Sequence, residues 1–155
     1  MHEGRVDPRG DPGDHDDGLA PGLCGDDLDR RQRGGRLKRK LVVVLTHGAN
    51  TDRSTIAFTV ANASLSAGME VMVFLASDGV DLVREHAADM ASVKPFLALD
   101  ELSSKFAAAG GVIAACGSCC TFRGLNNGDG RKEIQVAGVS ILADWLAGGA
   151  TTISF

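Results

Sequence analysis

The chain has 155 residues, a net charge of −4, 44% apolar and 23% charged residues, the composition of one soluble globular domain. Its longest uncharged run, Phe106 to Phe122 (17 residues), is interrupted by Gly, Ser and Cys and is too short and too polar for a bilayer span. The amino end is acidic and polar where an apolar signal core would stand, so neither membrane insertion nor export is expected.

The charge is segregated. Residues 1–40 hold nine acids and nine bases, and Arg30 to Lys40 carries seven of those bases and no acid. They also hold eight of the 20 glycines, three of the four prolines and no Phe or Trp. Such a segment buries too little apolar area to offset the entropy of ordering it. Residues 1–40 therefore read as a disordered charged leader and residues 41–155 as the folded domain. The basic run reads as a tether for an acidic partner or as a solvated tail. The domain carries 11 acids and seven bases with no basic stripe, so no nucleic-acid partner is expected for it.

Leu41 to Leu45 is a continuous apolar run of the kind found in strands buried on both faces. The turn Gly48 to Asp52 follows, with Thr51 or Asp52 placed to cap a helix. On that helix Ile56, Val60, Ala63 and Ala67 share a face, with Ala57 and Ala61 beside them, and Gly68 ends it at C′. Val71 to Ala76 reads as a second buried strand. Ser77-Asp78-Gly79 leads into a short helix from about Val80, which Asp78 is placed to cap. Pro95 interrupts residues 86–99, and Phe96 to Leu99 reads as a short extended segment. Asp100 caps a helix carrying Leu102 and Phe106 one turn apart, stopped by Gly110-Gly111. Val112 to Ala115 is the next strand and delivers Cys116 at its carboxyl end. Leu125 to Arg131 reads as a turn-rich, mobile stretch. Ile134, Ile141, Leu142 and Trp145 mark one face of a last helix between Glu133 and Leu146, and Thr151 to Phe155 forms a final strand.

This alternation predicts parallel pairing with right-handed crossovers. The expected fold is a three-layer α/β/α sandwich with a mainly parallel sheet of about five strands. Ligands of such sheets bind outside the carboxyl ends of the strands. There, Thr46-His47-Gly48, Ser77-Asp78-Gly79 and Cys116-Gly117-Ser118 gather an imidazole, a carboxylate and a thiol.

Cys116, Cys119 and Cys120 cluster in the domain, while Cys24 lies in the leader. With no export signal the compartment is expected to be cytoplasmic and the thiols reduced, which points to redox, metal or sulfur chemistry. A thiol between a strand end and a helix start is placed where the thiolate is favoured, and Arg123 adds to this if the chain folds back. Cys116 reads equally as a small buried apolar residue. Cys116-Gly117-Ser118-Cys119 has dithiol spacing but follows a late strand, and a vicinal Cys119–Cys120 bridge would be strained. Zinc would need these three cysteines with His47, and no second ligand pair supports that set, so no metal is expected. His47 reads as a catalytic base or as a turn residue bonded to nearby backbone. No GxGxxG or Walker lysine accompanies the Gly48 turn, so no nucleotide or other cofactor is expected.

Thr46-His47-Gly48 with Asp52 after the first strand, Gly68-Met69-Glu70-Val71, and Val73-Phe74-Leu75 running into Asp78-Gly79-Val80 form an ordered series. Gly111 to Cys116, Arg123-Gly124-Leu125 and a closing strand ending at Phe155 complete it. In this order and spacing the chain, from about residue 40 to 155, resembles the DsrE/DsrF-like proteins, which include the TusD-type sulfur-relay subunits and the YchN-like group. The resemblance implies a five-stranded sheet and homo-oligomers, commonly trimers or hexamers with the cysteine near a subunit contact. It also implies that Cys116, eight positions before Gly124, accepts and hands on sulfane sulfur as a persulfide, with Arg123-Gly124 as its companion. Relay proteins carry small residues such as Ala after that cysteine, where this chain has Ser118, Cys119 and Cys120. A neighbouring thiol can resolve a persulfide or sulfenate on Cys116 into a disulfide and favours redox use.

The expected function is a sulfur-relay, sulfurtransferase-like carrier. Cys116 is its persulfide site, Arg123 and His47 favour its thiolate, and donor and acceptor proteins are its partners. Two alternatives stay open: a non-catalytic oligomeric binding module, and a thiol-redox protein pairing Cys116 with Cys119 or Cys120.

Overall fold

A computed structural model of the protein describes residues 38–85, 87, 97–125 and 130–155. Five strands, β1 (Lys40–Leu45), β2 (Glu70–Leu75), β3 (Val112–Cys116), β4 (Ile134–Ala137) and β5 (Thr151–Ser154), form one all-parallel sheet in the order β4-β3-β2-β1-β5. The chain steps outward from β1 to β4 and then crosses back to place β5 beside β1. Right-handed crossovers put the connections of the outward steps on one face and that of the return on the other.

The packing follows that rule. On one face α1 (Asp52–Ser66), a 3₁₀ helix (Ser77–Val83), α2 (Leu99–Ala108) and α3 (Gly117–Phe122) cover Val43, Leu45, Val73, Leu75, Ile113 and Ala115. On the other, α4 (Ser140–Ala147) lays Ile141, Leu142 and Trp145 over Val42, Met72, Phe74 and Ala114. Alternation along each strand feeds both layers, which is why the apolar runs of β1 and β2 are continuous. The architecture is the α/β/α sandwich expected from the sequence.

Local signals acted as read at several ends. Thr51 caps α1 and accepts from the Ser54 N–H at 3.4 Å, and Gly68 adopts φ +83° just beyond it, where a side chain would be strained. Elsewhere tertiary packing decided. The inward face of α1 is Ala57, Phe58 and Ala61, while Ala63 and Ala67 are exposed and Ile56 and Val60 only half-buried. The small alanines let the helix lie close to the sheet, and Phe58 meets Phe106 of α2 edge to face, centroids 6.0 Å apart.

Three expectations are corrected. Ile134–Ala137 is strand β4, not part of the last helix: its apolar residues alternate with Gln135 and pair with β3, Ile134 opposite Ile113. Asp100 is not a cap, because α2 starts at Leu99 with Ala98 at its N-cap, and the Asp100 carboxylate pairs with Arg131 at 2.9 Å. The short helix starts at Ser77 rather than Val80, with Ala76 at its N-cap, so Asp78 sits inside its first turn. Of the expected extended segment 96–99, Leu99 is helical and Phe96 lies outside the described residues. Residues 126–129 of the Leu125–Arg131 stretch lie outside them too. No helix among the described residues is long and apolar enough to cross a membrane.

Candidate functional site at the carboxyl edge of the sheet

The connections after β3 and β4 leave on opposite faces of the sheet, α3 on one and α4 on the other. Adjacent strands with this property open a crevice at their carboxyl ends, the usual ligand position in open α/β sheets. Cys116 stands there as the last residue of β3, opposite Ala137, the last residue of β4. It is half-buried and touches both apolar layers.

α3 begins directly at Gly117. A β-carbon there would come within 3.4 Å of the Ala137 carbonyl, so the turn lies against the end of β4. Cys116 is the N-cap residue and Cys119 the third residue of the helix, a pair of positions that face each other at a helix start. Cys119 is half-buried and Cys120 is buried, at 2% exposure. Burial pushes the Cys120 thiol up from its ordinary value, and the nearby Cys116 and Cys119 add to that.

Ser77, Ser118, Cys119, Phe122 and Arg123 line an open groove of about 310 Å³ beside this turn. Ser77 is held at φ +49°, in the left-handed region that a serine enters at a cost of about 1–2 kcal/mol. The turn is tight because Gly79 packs directly on the backbone of Leu45, where a β-carbon has no room. Phe122 is 88% exposed at the rim.

Arg123 caps the carboxyl end of α3. Its guanidinium donates to Asp78 and, at 3.4 Å, to Asp81. Arg84 joins the group, with Nε 3.8 Å from Asp81 and a hydrogen bond of 3.5 Å to the Arg123 carbonyl. The cation at this groove is thus held by two carboxylates, which tie the 3₁₀ helix to α3. Among the described residues no hydrogen bond joins it to a thiol.

His47 follows β1. Thr46 Oγ1 donates to the Phe155 carbonyl at 2.8 Å, so the contact of 3.2 Å between Thr46 Oγ1 and His47 Nδ1 is a bond donated by the ring. Nε2 then accepts from Arg53 at 3.1 Å. Both ring nitrogens are engaged. β2 lies between β1 and β3, a separation of about 9–10 Å at ordinary strand spacing. The fold therefore gathers Cys116, Cys119, Arg123 and Asp78 and leaves His47 farther along the same edge.

Residues 38–155 match the DsrE/DsrF-like family. The chain belongs to that family. Among solved structures it is similar in fold to ychN protein from E. coli, with a TM-score of 0.64 and 14% identity over 77% of this chain and 100% of that one. MTH1491 from Methanobacterium thermoautotrophicum is similar at TM-score 0.61 and 15% identity, over 76% of this chain and 100% of that one. BT1422 from Bacteroides thetaiotaomicron is similar at TM-score 0.52 and 21% identity, over 75% and 94%. No curated protein matches the sequence.

In this DsrE/DsrF-like domain, sequence reasoning placed Ser77 at the ligand edge but missed Asp81 and Phe122. Asp81 carries a readable signal: side chains at i and i+3 eclipse on a 3₁₀ helix, so Asp78 and Asp81 face one way and suit one guanidinium. Phe122 carries none, since only the tertiary approach of α3 to the β2 turn makes a groove between it and Ser77. Among the described residues no group of three or more His, Cys, Asp or Glu is arranged to hold a metal ion.

Proposed function

We propose that this domain is a sulfur-relay carrier of the sulfurtransferase type, acting in the cytoplasm between donor and acceptor proteins. The Cys116 thiolate attacks the terminal sulfur of a donor persulfide, the donor leaves as its thiolate, and Cys116 becomes the persulfide. An acceptor thiolate then takes the outer sulfur and Cys116 leaves as thiolate. This exchange needs an accessible thiolate and no cofactor. The observation that carries the reading is the position of Cys116: half-buried, at the carboxyl end of β3 and opposite the last residue of β4, in a DsrE/DsrF-like chain.

Arg123 is proposed as a positioning residue. Held by Asp78 and Asp81, it supplies a fixed cationic wall beside the thiols. His47 is proposed to steady the edge through Arg53 and Thr46 rather than to move a proton at Cys116. Homo-oligomerisation, as a trimer or hexamer, belongs to the same proposal. Its support is an exposed apolar set of Phe122, Val139, Leu146 and Ile153, together with a β5 whose residues are all exposed.

The test is sulfur uptake from a cysteine desulfurase supplied with cysteine, quenched early with an alkylating agent and mapped by peptide mass. A reductant-labile extra sulfur on the Cys116 peptide, abolished by Cys116→Ser without loss of fold, is expected. A serine variant that loads as well as the wild type refutes the assignment. Partner binding that survives exhaustive alkylation, with no loading at all, favours the binding module instead.

A further inference from the structure

The three thiols are not equivalent, and the difference goes beyond a carrier's needs. A relay cysteine requires one sulfur, yet a second half-buried thiol stands on the first turn of the helix that follows. Spacing alone allows either Cys119 or Cys120 to react with Cys116. The fold separates them: Cys119 lines the open groove with Ser118 and Arg123, whereas Cys120 is packed into the apolar layer beneath α3.

We infer that Cys119 is a discharge thiol, which unloads a Cys116 persulfide as hydrosulfide when no acceptor arrives. The inference rests on the carrier reading above. Cys116 is the N-cap residue of the helix and Cys119 its third helical residue, and a side chain at the N-cap reaches toward the third helical position, while a disulfide needs β-carbons about 3.5–4.5 Å apart. Cys116 is not itself helical, with φ −64° and ψ 112°. The adjustment therefore falls on one strand-end residue and leaves the hydrogen bonds of α3 intact.

The chemistry balances without an outside oxidant. The Cys119 thiolate attacks the inner sulfur, Sγ of Cys116, so a Cys116–Cys119 bond forms as the bond to the outer sulfur breaks. That sulfur leaves with the electron pair as hydrosulfide. The sulfane sulfur is reduced and the two cysteine sulfurs are oxidised to a disulfide. A dithiol reductant reopens the pair. Cys120 has no part in this step: a bridge to its neighbour is strained, and its thiol faces the core.

The test uses the full chain loaded with glutathione persulfide, freed of excess donor, then assayed for released sulfide and mapped by non-reducing peptide mass. Wild type and Cys120→Ser are expected to release sulfide and to show a Cys116–Cys119 linkage. Cys119→Ser is expected to keep its extra sulfur on Cys116, with release falling to the background of Cys116→Ser. Release from Cys119→Ser equal to the wild type, a linkage that maps to Cys120, or sulfur retained by the wild type each overturns the inference and leaves the carrier reading standing. Absence of sulfur on Cys116 in Cys119→Ser overturns both.

Discussion

Arg131 shows how a charged side chain is held nearly out of water. At 8% exposure, its guanidinium meets Asp100 at 2.9 Å, Glu133 at 2.6 Å and the Ser103 hydroxyl at 3.0 Å. Arg131→Met removes these three bonds and should cost about 1–3 kcal/mol, read as a lower urea midpoint. Burial pushes the Glu133 carboxyl up, but its own backbone N–H and Arg131 outweigh that and hold it below the usual carboxylate value. A group lowered in the folded state stabilises above its unfolded value and loses that contribution as pH falls through the folded one. The urea midpoint should therefore drop on acidification, and Glu133→Gln should flatten that limb. For the thiols, timed alkylation at neutral pH should label Cys116 and Cys119 before Cys120, which burial keeps protonated and covered. The position of Cys116 was readable because an apolar strand run stops at it. The partners of Arg123 were not, because they come from a helix far away in sequence.

At the scale of elements, the core on the crowded face turns on Phe106, fully buried against Phe58 and filling the space over Gly111. Phe106→Ala should cost about 3–5 kcal/mol, measured by the same denaturation. The strands and the first two helices were legible because their apolar runs and glycine stops agree. β4 was not: Ile134 stands seven, eight and 11 residues before Ile141, Leu142 and Trp145, spacings a helix also satisfies. Only the alternation across Gln135 and the break at Gly138 separate the two readings, and four residues are too few to weigh them. The face of α1 was ambiguous for a related reason. Its alanines supply apolar positions on two adjoining stripes, and the partner helix selects between them.

At the scale of the domain, the described residues cover the two faces of the sheet unevenly. One face of the sheet carries three helices and a 3₁₀ turn, and the other is covered by α4, which has no fully buried residue. Under the proposed homo-oligomer, a second copy would cover the exposed Leu146 of α4 and Ile153 of β5. Leu146→Glu or Ile153→Lys should move light-scattering mass toward the monomer while leaving sulfur uptake at Cys116 detectable. This asymmetry follows from topology: with every outward step on one side, a return through α4 alone serves the other.

Cys116 touches both apolar layers. Among the described residues, the one that ends β3 is thus the one place where both layers meet the carboxyl edge at a thiol. Under the proposed carrier function, a loaded sulfur would press where the two cores meet, and an acceptor would read full from empty by how firmly the strand behind the thiol is held.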